Sequence, residues 1–193
     1  MELYIYDFDD TLALSDSRVE VRRKGGQLKI LNSREFAKYV HEPGDEVDFS
    51  QFTRAQGEVI WNVARDFRRN HKDPNKDVFI VTARQHAQPV KEFLERVLQL
   101  SGIVVIATSG SAGKVPWLEY QLDLKPYTDV YIYEDCMANL EALSDVIEQY
   151  NFELPRTVPP IRSHLYCVLE DKAVVTLENV RRMIRKMILE AHT

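Results

Sequence analysis

Asp7, Asp9 and Asp10 lie in the run Ile5-Tyr6-Asp7-Phe8-Asp9-Asp10-Thr11-Leu12, directly after the apolar residues Leu3 to Tyr6. Such an apolar run reads as a buried strand, and open α/β sheets place their ligands at the carboxyl ends of strands of this kind. Asp7 and Asp9 are two residues apart, so an extended backbone carries both side chains on one face. A turn just after the strand would aim the Asp9 carbonyl inward as well. Two carboxylates and a carbonyl make a hard-oxygen site suited to Mg²⁺. The same residues could also be no more than a solvated acidic turn, and the choice depends on what the rest of the chain brings to them.

Three later strand ends bring reactive side chains. Asp77 to Thr82 is an apolar, β-branched strand ending in a hydroxyl residue, with Arg84 two positions on. Gly102 to Thr108 is another apolar strand, running into Ser109-Gly110-Ser111-Ala112-Gly113-Lys114. That tail fails the phosphate-loop pattern Gly-x-x-x-x-Gly-Lys-Ser/Thr, because Thr108 stands where the first glycine belongs and Val115 follows the lysine. Asp129 to Asp135 is a strand closing on two carboxylates, Glu134 and Asp135, with Asn139 one helical turn beyond to orient a ligand.

Asp-Phe-Asp-Asp-Thr-Leu after a short apolar strand resembles motif I of the haloacid dehalogenase (HAD) superfamily, Asp-x-Asp-x-Thr/Val. The resemblance implies that Asp7 is a nucleophile forming an aspartyl-phosphate and that Asp9 is the general acid and base. It implies further that Thr82, as motif II, hydrogen-bonds a phosphoryl oxygen, with Thr108 or Ser109 as the alternative. Lys114 fits motif III, neutralising nucleophile and phosphoryl group together. Glu134 and Asp135 resemble motif IV, with Asp135 as the remaining Mg²⁺ ligand and Glu134 as a second ligand or its supporting neighbour. The expected activity is a Mg²⁺-dependent phosphomonoesterase. Arg84 either reaches a substrate phosphate bidentately or pairs on the surface.

These residues require an α/β fold: strands alternate with helices, and the HAD resemblance implies a Rossmann-like core, mainly parallel, with helices on both faces. We expect a single domain over residues 1–193, with residues 15–72 forming a flap hairpin and a small helical insertion. Val19–Lys24 and Gln27–Leu31 flank Gly25-Gly26, which reads as a two-residue hairpin turn. Pairing Lys24 with Gln27 sets Arg22 opposite Lys29 and gathers Arg22, Lys24 and Lys29 on one basic face, with Val19, Val21, Leu28 and Ile30 on the other. Asn32 or Ser33 caps a helix carrying Phe36, Tyr39 and Val40 and ending at Pro43-Gly44. An acidic loop, Asp45 to Phe49, and a helix from about Thr53 to Asn70 follow. The basic face motivates a nucleotide or a nucleic-acid end as substrate, with a small metabolite, or a phosphate-binding module without turnover, as alternatives.

Composition agrees with a globular chain: 45% of residues are hydrophobic and 28% charged. The net charge of −5 argues against coating of nucleic acid along its length. Two cysteines, Cys136 and Cys167, lack metal or redox spacing, and no apolar stretch approaches membrane-spanning length. A cytoplasmic protein with no membrane partner is therefore expected.

Overall fold

The computed structural model describes residues 1–191. From β1 (Glu2–Tyr6) the chain enters an insertion: β2 (Ala13–Ser15), β3 (Val19–Arg22), β4 (Leu28–Leu31), α1 (Ser33–Ala37), β5 (Glu46–Asp48) and β6 (Gly57–Val59). It then alternates: α2 (Trp61–His71), β7 (Lys76–Thr82), α3 (Gln88–Leu98), β8 (Val105–Ala107), α4 (Lys114–Leu124) and β9 (Asp129–Glu134). It closes with α5 (Met137–Glu153), β10 (Arg162–Val168), β11 (Val174–Thr176) and α6 (Leu177–Ala191).

The main sheet has the order β11-β10-β9-β1-β7-β8 and is parallel except at the β10–β11 edge. β1 is central because both its faces are apolar. Leu3 and Ile5 point to one side, where they pack with Leu118 and Leu122 of α4, Leu140 and Leu143 of α5, and Val180 of α6. Tyr4 and Tyr6 point to the other, toward Phe67 of α2, while Phe8 beyond the strand meets Phe93 of α3. Period-two alternation thus feeds two cores, one on each face. The α/β class and the mainly parallel sheet with helices on both faces are as the sequence indicates. Among the described residues no helix is long and apolar enough to cross a membrane.

The insertion departs from expectation in three places. First, the hairpin loop has three residues, not two. The Arg23 amide donates to the Gln27 carbonyl at 2.9 Å, the Gly26 amide donates to the Arg23 carbonyl at 2.8 Å, and Gly26 takes φ of 81°. This is a turn followed by a left-handed bulge glycine, and it moves the register by one residue. Arg22 therefore faces Leu28, and Val21 faces Lys29. Second, residues 46–48 form β5 on the free edge of β3, making a three-stranded sheet where a loop was expected. Third, the segment expected to begin a long helix at Thr53 first forms β6, which pairs with β2, and the helix begins only at Trp61. The first helix is also short, ending at Ala37; of the two expected caps it is Asn32 that serves, in a reciprocal box with Glu35.

Candidate active site

Parallel pairing brings the carboxyl ends of β1, β7 and β9 to one edge. Tyr6 lies opposite Ile80 and Tyr133, and the Asp7 amide continues the ladder to the Tyr133 carbonyl at 2.9 Å. Asp7 therefore emerges beside Glu134, and the two are 6% and 2% exposed. After Phe8 the chain turns sharply, with the amides of Leu12 and Ala13 both on the Phe8 carbonyl at 3.0 Å. This turn, with Asp10 at a φ of 60°, sends the chain into β2 and leaves Asp9 at the mouth of the site.

Lys114, the first residue of α4, is 3% exposed and aims its ammonium at the end of the sheet. Its Nζ lies 2.6 Å from Asp7 Oδ1 and 2.7 Å from Glu134 Oε2. Burial acts to lower the Lys114 pKa, but the charges of Asp7 and Glu134 outweigh it and raise the value well above that of a free lysine. Asp7 is pushed up by burial and by Glu134, Asp135 and Asp9, with Lys114 opposing them. Glu134 is braced from its other oxygen, which accepts from the Cys136 amide at 3.2 Å and from Asn139 Nδ2 at 3.3 Å. Asn139 thus orients Glu134, not Asp135.

Asp7, Glu134 and Asp135 each offer a carboxylate oxygen within 4.8 Å of the others. Asp135 is raised to about 7 by burial, then by Glu134 and Asp10. Three carboxylates meet one ammonium there, and Arg34 of α1 adds a weaker contact to Asp135 at 3.4 Å. An all-oxygen donor set with uncompensated negative charge fits Mg²⁺.

Arg84 is the residue that expectation placed least well. It is 4% exposed, neither on the surface nor free for a phosphate. Its Nη2 and Nε hold Asp9 at 2.7 and 2.9 Å as a two-pronged fork. It also donates to the Arg54 carbonyl at 2.7 Å and to the hydroxyls of Ser15 and Ser17 at 3.0 and 3.1 Å. Its guanidinium lies between the rings of Phe8 and Phe52, at 5.0 and 4.7 Å. One side chain thus joins the acid/base candidate to the insertion. Thr82 stands at the expected strand end, fully buried, with its hydroxyl accepting from the Arg84 amide at 3.3 Å.

A cleft of about 710 Å³ opens over this edge. Asp7, Asp9, Arg84, Lys114, Glu134 and Asp135 lie along its floor and sides, and the insertion forms the opposite wall. No family model, curated protein or solved structure matches the chain. The geometry therefore stands on its own.

Arg22 and Lys29 do not join the site. The register shift puts them on opposite faces of the hairpin, Arg22 outward beside exposed Leu28 and Lys29 toward the Tyr39 ring at 5.3 Å. Neither lines the cleft, so the expected basic face does not form. What the sequence reading overlooked is the other material of the wall: Phe36, Tyr39, Phe49 and Phe52, with His41. A signal was present in four aromatic residues within seventeen positions of a segment otherwise rich in charge. Arg34 was also overlooked, since nothing local in sequence ties it to Asp135, 101 positions away.

Proposed function

We propose that the chain is a phosphomonoesterase of the HAD kind, dependent on Mg²⁺ and acting on phosphoesters of nucleotide type. The observation that carries the reading is the buried Asp7 carboxylate at the end of the central strand, held by Lys114 at 2.6 Å and open to a cleft. A carboxylate so placed, with a fixed cation against one oxygen, keeps its second oxygen for attack. In the first step that oxygen bonds to phosphorus, the ester P–O bond breaks, and the departing oxygen takes a proton from Asp9. In the second step Asp9 takes a proton from water, whose oxygen attacks phosphorus, releasing phosphate and restoring Asp7.

Lys114 counters the negative charge that gathers on the phosphoryl oxygens, while Thr82, buried and outside the cleft lining, accepts from the Arg84 amide and supports the turn that carries Arg84. Asp7 and Asp135, with Glu134 beside them, would hold Mg²⁺, which when bound supplies electrostatic stabilisation of the transferring phosphoryl group. Arg84 holds both Asp9 oxygens, which fits the ionised carboxylate, so Asp9 carries the proton it passes to the leaving group only with one prong of the fork open.

The test is phosphate release from a generic aryl phosphate and from 3′- and 5′-phosphorylated nucleotides and oligonucleotides, with Mg²⁺ or EDTA. Release that needs Mg²⁺ and falls to background in Asp7→Asn supports the reading. Release that survives in Asp7→Asn rejects the nucleophile assignment, and no release from any substrate rejects turnover.

A further inference from the structure

We infer that the aromatic wall of the cleft is a base-binding surface, so that the substrate is a free nucleoside monophosphate and not a polynucleotide end. The inference rests on the phosphomonoesterase reading and adds to it the group on the far side of the phosphate.

The wall is a connected set of rings. Phe36 meets Phe49 edge to face at 5.2 Å, and Phe49 meets Phe52 at 6.0 Å. Phe52 in turn lies 4.7 Å from the Arg84 guanidinium, which holds Asp9. Phe49 is thus one ring farther from the acid/base carboxylate than Phe52. In a nucleotide the base is likewise separated from the phosphate, by one sugar. Phe49, held between Phe36 and Phe52, still leaves 38% of its surface open while lining the cleft.

Beside the rings the wall carries Ser33, His41, Asp48, Ser50 and Thr53, polar groups that can meet the edge of a base or its sugar. Its one phenol, Tyr39, already donates to Asp45 at 2.7 Å and accepts from Arg23 at 3.3 Å. The faces and edges of Phe36, Phe49 and Phe52 bind other planar rings by stacking. The cleft's volume of about 710 Å³ suits a ligand of mononucleotide size.

Charge separates a free nucleotide from a chain end. A polynucleotide is held by a cation for each phosphate contacted. The lysine and arginine that line this cleft, Lys114 and Arg84, are both already paired with carboxylates, and Asp48 stands on the insertion side. Arg22 and Lys29 lie outside it. Among the described residues that line the cleft there is no third lysine or arginine to meet a second phosphate.

The experiment compares adenosine and cytidine 5′-monophosphates with ribose 5-phosphate and a 5′-phosphorylated oligonucleotide. The readouts are kcat/KM for the wild type and calorimetric binding to Asp7→Asn, which does not depend on turnover. Each is repeated with Phe49→Ala and with Phe49→Leu, which keeps apolar volume but removes the ring. At least one nucleotide should exceed ribose 5-phosphate by roughly 5- to 150-fold, as expected for one stacked base. That ratio should collapse toward one in both Phe49 variants. Parity of nucleotide and ribose 5-phosphate, a ratio that persists in Phe49→Leu, or preference for the oligonucleotide overturns the inference while leaving the phosphatase intact. Absence of turnover with aryl phosphate also present rejects the phosphatase reading, and the calorimetric ratio then still decides whether a base is bound.

Discussion

At the scale of single residues the central relation is that between Asp9 and Arg84. A carboxylate assigned to proton transfer is usually left room to move, whereas this one is gripped through both oxygens by a buried guanidinium. The grip fixes where Asp9 points, and Arg84 acts through it as a positioning residue. Lysine at this position would keep the charge but lose the fork. Arg84→Lys is expected to lower kcat by about 10²- to 10⁴-fold, the usual worth of a placed acid/base, with KM little changed. A direct role for Arg84 on the substrate phosphate would raise KM instead, so steady-state kinetics separate the two. Lys114→Met removes the cation between Asp7 and Glu134 and leaves buried carboxylates facing each other. We expect loss of activity together with a fall in Tm, read by calorimetry on the purified variant. Lys114 illustrates why parts of the site were legible in sequence: its place before the last acidic strand resembles motif III, and the resemblance, not the local pattern, singles it out. Arg84 was ambiguous because its partner, Asp9, is 75 positions away and the contact depends on a turn that no local pattern specifies.

At the scale of elements, the parallel core was readable and the insertion was not, for one physical reason. Strands such as β1, β7 and β9 are buried on both faces and announce themselves as apolar runs. Strands of three residues, such as β2, β5 and β6, have no length over which alternation can register, and their pairing is set by turns and by packing. Gly25-Gly26 marked the hairpin correctly, but two adjacent glycines admit more than one loop length, and the left-handed Gly26 selected the three-residue form. Gly57 carries the opposite lesson, since its necessity appears only in three dimensions. It has a φ of 141°, and a Cβ there would lie 2.0 Å from the Leu14 carbonyl oxygen across the β2–β6 pair. Gly57→Ala must therefore part the two strands that tie the insertion to the core, at a cost of roughly 1–3 kcal/mol. The expected result is a lower Tm, with amide exchange accelerated first in residues 13–15 and 57–59. Uniform acceleration across the main sheet would instead show that this pair is not a separate cooperative unit.

At the scale of the whole molecule, the site and the stability of the fold are in tension, and pH exposes it. Gathering Asp7, Glu134 and Asp135 at one buried edge raises the Asp135 pKa to about 7, through burial first and then the neighbouring charges of Glu134 and Asp10. The folded protein therefore holds a proton there that the unfolded chain has released. Across the interval from the ordinary aspartate value of 3.8 to about 7, the folded state binds more protons than the unfolded one. Stability contributed by this group is present at the acid end and is lost as pH rises through about 7. Other carboxylates, such as Asp129 beside Arg162, shift the opposite way, so the effect is isolated by difference. In EDTA, Asp135→Asn should match the wild type near pH 4 and become more stable than it as pH rises, with the gap levelling off above about 7. At about 1.4 kcal/mol per pKa unit, a gap of several degrees in Tm is expected for a domain of this size. Mg²⁺ should reverse the order. A dication that binds the folded state alone raises Tm by mass action, most strongly where Asp135 has lost its proton, and the Asn variant lacks that ligand. Thermal melts of both proteins at pH 4, 6 and 8, with EDTA or Mg²⁺, therefore test the cluster in a way that does not involve catalysis. If Mg²⁺ raises the Tm of Asp135→Asn as much as that of the wild type at pH 8, Asp135 is not a ligand and the negative charge at this edge serves some other purpose.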